Sequence, residues 1–310
     1  MEIITDAPAL PAAVPLCQNV EHDVWLENRR RGIGGSDVAA LLGLSPWASK
    51  WSLWQDKTGQ GKPLEMSEAM RWGTILEKPI AEEWERRHEK PVIGCPPGTI
   101  YQSTSYPLAL ASPDALTKDL ASWIEIKAVS AHHADSWTDE EVPPHYWCQA
   151  QWEGFVAGVE TVHLAALIGG QTLKSYVIPV DVAWGERTYE QASQFWENYV
   201  QPLVEPPVDD SDATTNALNH AFKNSERESI EGGSNLALAI ADYLDASALE
   251  KEAKSKKQLA QNQIIHLLRG AEVGLVEGVP MVSYTTIERK SYVVQAGQYQ
   301  KLALLKGAKN

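Results

Sequence analysis

Ser112-Pro113-Asp114, followed eleven residues after the aspartate by Glu125 of Trp123-Ile124-Glu125-Ile126-Lys127-Ala128-Val129, is the stretch that decides the fold. Trp, Ile and Val are good β formers, so residues 123–129 predict a strand. Alternation along a strand puts Glu125 and Lys127 on one face and turns Ile124 and Ile126 into a core. If the segment carrying Asp114 pairs with this strand, two carboxylates and one ammonium converge. Such a group suits a hard cation with a lysine beside it, able to activate a water for attack on a phosphodiester. Taken alone, Asp114 reads equally as the opening of a turn after Pro113.

Outward from this stretch the chain alternates helices and strands. Residues 21–31 have a helical pattern. Gly32-Ile33-Gly34-Gly35-Ser36-Asp37 reads as a glycine-rich loop feeding a short helix, with Ser36 as N-cap and Gly43 as stop. A short helix is expected at 50–57 and a long one at 67–89, broken or kinked by Pro79 just after Glu77. Extended segments follow near 91–94, 99–101 and 108–111. Beyond the central strand, residues 146–157 read as a helix, and 162–168 with 173–180 as a strand pair joined at Gly169-Gly170. Residues 183–204 form an amphipathic helix. This order predicts a mixed α/β (α+β) domain, a central mixed sheet flanked by helices.

Four regions emerge: a flexible, Ala- and Pro-rich arm at 1–20, the main domain at 21–204, an acidic linker at 205–232 and an appendage at 233–310. The appendage is expected to be a helical hairpin breaking near Ala246-Ser247, then a small β region with a turn at Glu277-Gly278. No stretch approaches the roughly 18–20 apolar residues of a membrane span. The start of the chain lacks the basic residues of a secretion signal. Three scattered cysteines argue against a disulfide framework or zinc site and fit a reducing cytoplasm. The net charge of −14 argues against a broadly basic nucleic-acid-binding surface. The charge is uneven, however, with a basic run at Arg29-Arg30-Arg31 and lysines towards the end, so a local basic channel stays open. Twelve tryptophans are many, and some are expected at binding surfaces.

Trp25-x-x-x-Arg29, Gly32-Ile33-Gly34-Gly35-Ser36-Asp37, Trp72-Gly73-x-x-x-Glu77, Ser112-Pro113-Asp114, Glu125-Ile126-Lys127 and Tyr146-x-x-Gln149-x-Gln151 occur in the order seen in the YqaJ-type viral recombinases. The chain resembles that family over roughly residues 21–204. The family belongs with the lambda-type exonucleases in the PD-(D/E)xK nuclease superfamily, so a restriction-endonuclease-like core is implied. The resemblance implies that Asp114, Glu125 and the backbone carbonyl of Ile126 ligate Mg²⁺ or Mn²⁺, with Glu77 supporting a second ion. Lys127 would orient or deprotonate the attacking water, its pKa lowered by the neighbouring metal. Gln149 is implied near that water and Tyr146 near metal or phosphate. Arg29, Ser36 and Ser112 are implied as contacts to a DNA phosphate. The lambda-type enzymes also carry an additional acid about ten residues before the motif aspartate; here the chain reads Ser103-Thr104-Ser105, so that ligand is missing or comes from elsewhere.

What the resemblance implies is a phage-type, metal-dependent 5′-to-3′ exonuclease on linear duplex DNA in the bacterial host cytoplasm, leaving 3′ single-stranded tails for recombination. A single-strand annealing protein is the implied partner, and a trimeric ring the implied assembly. Two alternatives stay open from the residues: an endonuclease built on the same core, and a DNA-end-binding scaffold with an inactive core.

Overall fold

The strand expected at 123–129 forms and is central. The computed structural model describes residues 1–61, 66–223 and 229–288. The chain begins with β1 (Glu2–Ile3), β2 (Ala13–Cys17), α1 (His22–Arg29), α2 (Gly35–Leu41), α3 (Lys50–Lys57) and α4 (Glu68–His88). It continues with β3 (Val92–Gly94), β4 (Ile100–Ser103), β5 (Leu110–Ala111), β6 (Ala115–Thr117) and β7 (Ser122–Val129). Then come α5 (Pro144–Ala157), β8 (Thr161–Ile168), β9 (Thr172–Pro179), α6 (Val182–Phe195), α7 (Asp212–Ala221), α8 (Gly233–Leu268), β10 (Val273–Val276) and β11 (Val279–Ser283). There are two units, Met1–Phe222 and Lys223–Asn310.

In the first unit a six-stranded mixed sheet runs β1-β3-β6-β7-β8-β9. β7 is antiparallel to β6 and parallel to β8, and β8 and β9 form the expected hairpin. α5 makes the crossover that a parallel β7–β8 pair requires. Both faces of β7 are covered. Ile124 and Ile126 pack with Ile80, Ala81 and Trp84 of α4, while Trp123 and Val129 join the larger core with Trp152, Phe155 and Val156 of α5. Fully burying one such side chain stabilises by about 1.5–3 kcal/mol. A one-residue slip would drive Glu125 and Lys127 against the apolar face of α4, so the register is strongly specified.

A second sheet, β2-β4-β5, carries the glycine-rich loop on its edge. Ile33 N–H donates to Leu108 O (2.7 Å) and Leu110 N–H donates to Ile33 O (2.9 Å). The indole Nε1 of buried Trp152 donates to both Ile33 O and Leu110 O at 3.1 Å. A Cβ on Gly32 would lie 2.4 Å from Leu108 O, a backbone atom, so only glycine permits this approach.

Several expectations are corrected. The 1–20 arm is not loose: β1 pairs with β3, β2 pairs with β4, and Leu10 and Ala13 are buried. Its small residues are there for close packing, since Ala12 N–H donates to Ala157 O (3.0 Å) and Ala12 fills the space beside Gly158. Pro79 does not break α4, which runs unbroken from Glu68 to His88. Burial of Ile80, Ala81 and Trp84 directly after the proline offsets the lost hydrogen bond. The helix expected over 183–204 ends as α6 at Phe195 and continues as a π turn, Trp196–Val200.

The acidic 205–232 stretch is not simply a linker. α7 lies inside it, capped by Ser211 and with Ala213 and Thr214 buried, and Asp209 accepts from Ser211 Oγ and Thr214 Oγ1. Its acids favour a capped helix over an extended chain. Residues 224–228 of that stretch lie outside the described residues. Among the described residues of the second unit there is no helical hairpin. α8 is continuous for 36 residues, and Ser247 Oγ satisfies itself on Tyr243 O (2.7 Å) within the helix. The β10–β11 hairpin turns at Glu277-Gly278, both at positive φ, as expected. The remainder of the expected β region, including Arg289 and Lys290, and the basic residues Lys301, Lys306 and Lys309 beyond it lie outside the described residues. No helix among the described residues is long and apolar enough to cross a membrane.

Candidate active site

Pairing of β6 with β7 brings Asp114, immediately before β6, to the Glu125-Ile126-Lys127 triplet. Asp114 Oδ2 accepts from Ile126 N–H at 2.7 Å. Lys127 Nζ donates to Glu125 Oε1, and the Tyr146 ring lies 5.3 Å from the same ammonium. From α5, Gln149 Nε2 donates to Glu125 Oε1 (2.6 Å) and to Glu153 Oε1 (2.8 Å). Glu125 and Glu153 are each 2% exposed, and the Oε2 of each is buried without a hydrogen-bond partner. Glu77, on α4, is close enough for its charge to be felt at Asp114.

Acids outnumber bases here. Burial, and then the Glu125 charge, push Asp114 and Glu153 well above the usual carboxylate range, against the pull of Lys127. The same two causes push Glu77 up to about 7. Burial works against the Lys127 charge, yet Glu125 and Asp114 hold the ammonium above its ordinary range. The pKa depression expected at Lys127 is thus opposed by its protein neighbours. Two carboxylates about 4 Å apart repel by about 4 kcal/mol at an effective dielectric of about 20. Protons or a cation must relieve that repulsion.

The donor set fits a hard divalent ion. It is all oxygen, and the two orphaned Oε2 atoms are buried acceptors that water does not reach. Among the described residues no three His, Cys, Asp or Glu side chains close on one point. Backbone oxygen and water would therefore have to complete the shell, as is common for Mg²⁺.

A second cluster forms where Arg29, Ser36 and Asp37 meet. Arg29 Nη2 donates to Ser36 Oγ (2.7 Å) and Asp37 Oδ1 (2.9 Å). Asp37 Oδ2 is 2.6 Å from Lys57 Nζ and accepts from Gly34 N–H at 2.8 Å. Trp25 offers its ring to Arg29 at 5.5 Å. The N-cap of α2 is Gly34 rather than Ser36. Asp37 reaches back to the Gly34 N–H, which leaves the Ser36 hydroxyl free to meet Arg29. Ser112 is half-buried between β5 and Asp114, and among the described residues no hydrogen bond joins it to Arg29 or Ser36.

Sequence reasoning passed over Glu153, Asp37 and Lys57. A signal for Glu153 exists: it is the single acid in a largely apolar helix, one turn after Gln149. A Cβ on Gly35 would lie 2.3 Å from Glu153 Oε1, so that glycine makes the room in which the carboxylate sits.

Comparison with known proteins agrees with the motif order. A family model described as the YqaJ-like viral recombinase domain matches residues 24–160. The protein YqaJ of Bacillus subtilis (strain 168) is 33% identical over 267 residues, covering 84% of this chain and 83% of that protein. The chain belongs to the YqaJ-like viral recombinase family. Among solved structures, LHK-Exo in complex with dAMP aligns with a TM-score of 0.50 at 20% identity, over 58% of this chain and 95% of that one. LHK-Exo is an alkaline exonuclease from Laribacter hongkongensis. The likeness is one of fold, and this YqaJ-like chain has a central mixed sheet flanked by helices.

Proposed function

We propose that this chain hydrolyses phosphodiester bonds at the ends of linear duplex DNA, 5′ to 3′, leaving 3′ single-stranded tails for recombination. The observation that carries the reading is the buried Glu125 carboxylate. It is joined to Lys127 and Gln149, sits beside Asp114, and keeps one oxygen unpaired. Asp114, Glu125, the Ile126 carbonyl and Glu77 would hold Mg²⁺ or Mn²⁺, one ion or two. When bound, the ion supplies Lewis acidity towards a phosphoryl oxygen and a more acidic water.

The chain's own residues supply the rest. Both N–H groups of the Gln149 amide go to carboxylates, so its Oε1 remains to accept a hydrogen from an attacking water. Lys127 places positive charge where negative charge grows on the phosphoryl oxygens. Tyr146 keeps that ammonium in place through its ring face. Arg29, Ser36 and Ser112 are the proposed phosphate contacts. The proposed partners are a single-strand annealing protein and further copies of this chain in a ring, acting in a bacterial host cytoplasm.

A second reading rests on one observation. The Arg29 guanidinium already spends Nη2 on Ser36 and Asp37, which favours an enzyme that does not anchor a terminal phosphate there. Digestion with Mg²⁺ of 5′-phosphorylated, 5′-hydroxyl and covalently closed duplexes separates the two. Loss of the 5′-phosphorylated linear DNA alone, absent in Lys127→Ala and Glu125→Ala, is expected. Cutting of closed circles would replace the exonuclease with an endonuclease. DNA binding with no cutting under Mg²⁺ or Mn²⁺ would leave only a binding scaffold.

A further inference from the structure

Trp47 stands beside the site yet has no part in it so far. It is 63% exposed, unusual for so large an apolar side chain. The turn between α2 and α3 presents it firmly. Ser45 Oγ accepts from the N–H groups of Trp47 (3.2 Å) and Ala48 (3.1 Å), and Pro46 fixes its own φ. The indole meets His145 edge-on (centroids 4.8 Å, 87°) and tilts against Tyr146 (6.0 Å, 45°). Tyr146 in turn lies 5.3 Å from Lys127 Nζ. A continuous aromatic path thus leads from an open indole to the lysine of the site, passing through His145 and Tyr146 on the helix that carries Gln149.

An exposed indole held still beside a phosphodiester site is suited to one class of ligand. Every nucleobase has a flat π face, and base–aromatic stacking tolerates all four bases. We propose that Trp47 is a stacking platform for the nucleobase next to the scissile phosphate of the bound strand. The proposal rests on the nuclease reading above. It makes the site tolerant of all four bases, with purines modestly favoured by their larger face, but sensitive to the presence of a base. It also gives the duplex end somewhere to fray onto.

The test is a cycle between Trp47 and the base. Wild type, Trp47→Ala and Trp47→Phe are compared on linear duplexes whose terminal nucleotides carry adenine or are abasic. Removing either the indole or the base is expected to slow cutting about tenfold, and removing both is expected to cost no more than removing one. Trp47→Phe should recover much of the rate on the adenine substrate. In parallel, 2-aminopurine at the terminal position, bound with Ca²⁺ in place of Mg²⁺, should be quenched by wild type and not by Trp47→Ala. Additive losses in the cycle, or a Trp47→Ala protein that cuts as wild type does, would overturn the platform. So would quenching that survives Trp47→Ala. If wild type binds and quenches but never cuts, the nuclease reading falls while the stacking site stands.

Discussion

Two buried charged clusters lie within one domain, and their balance is opposite. Around β7, Glu77, Asp114, Glu125 and Glu153 share one close cation, Lys127, and Asp114 and Glu153 are driven well above the usual carboxylate range by burial and by Glu125. At α2, Asp37 meets two cations, Arg29 and Lys57, and a second acid, Asp56, is shared by Lys57 (3.3 Å) and Arg30 (3.9 Å). Burial opposes the ionisation of Asp37 too, but Lys57 and Arg29 overcome that and hold its pKa at about 2. The second cluster is satisfied by its own residues. The first is not, and its unpaired Glu125 and Glu153 oxygens mark where something from outside is needed. Burial alone therefore does not distinguish a structural charge from a functional one. The sign of the residual imbalance does.

The sharpest way to break the comparison is to remove members of each cluster and measure both stability and activity. Lys127→Ala and Glu125→Gln are expected to lower DNA cleavage by at least about a hundredfold, since each removes a group acting on the reacting centre. Glu125→Gln should leave the melting temperature unchanged or raise it, because it removes a charge from a crowd of like charges. Full cleavage by either variant would show that the acid-rich cluster is not the chemical centre.

Asp37→Asn should do the reverse. Lys57, whose side chain is wholly buried, would lose its closest carboxylate. Only the partly exposed Asp56, at 3.3 Å, would then balance its charge, so the loss should be up to the about 3–5 kcal/mol of breaking a buried pair, read by urea denaturation at neutral pH. The acid limb carries the sign. Asp37 is depressed in the folded state, so its contribution is present above the ordinary carboxylate pKa and is lost as pH falls through about 2. Wild type should thus lose stability on acidification more steeply than Asp37→Asn. Parallel acid limbs for the two proteins would place the strength of this cluster elsewhere.

Glu153 belongs to neither extreme, since it is buried with the acids yet orders Gln149. Glu153→Gln is expected to lower turnover about tenfold, the worth of one well-placed hydrogen bond, with KM little changed. Gly35→Ala should produce the same split by crowding the Glu153 carboxylate from the side of α2. A rise in KM with turnover intact would instead tie Glu153 to binding.

The two clusters also differ in how far they could be read from sequence. The Glu125-Ile126-Lys127 face was legible because strand alternation is local and both neighbours of Glu125 are β-forming apolar residues. The hairpin at Gly169-Gly170 and the helix after Pro144 were legible for the same local reasons. Glu153 was not, because its meaning depends on the α5 crossover that lays Gln149 over β7. Lys57 closes α3, and nothing local links it to Asp37, twenty residues earlier. The N-terminal strap was misread because Ala and Pro signal a loose chain when counted and close packing when placed, as Ala12 is against Gly158. Pro79 does not end α4, because burial of the next helical turn outweighs the local rule against an interior proline.

Ser36 is the smallest lever and tests whether the balanced cluster also serves the substrate. Its hydroxyl accepts from Arg29 and does not cap α2, a task left to Gly34 and Asp37. Ser36→Ala should therefore cost no more than about 0.5–1.5 kcal/mol of stability, one ordinary hydrogen bond, rather than the larger loss that follows removal of a helix cap together with its partners. Arg29 would keep Asp37 but regain freedom on one side of its fork. If Arg29 and Ser36 receive a DNA phosphate, the substitution should weaken binding of 5′-phosphorylated ends several-fold and leave binding of 5′-hydroxyl ends unchanged. If the pair is purely structural, both ends should bind as they do to wild type. In that case the cluster at α2 would be a brace for the loop at Gly32-Ile33-Gly34, and the contacts to the strand end would have to come from the face around Trp47 and Tyr146.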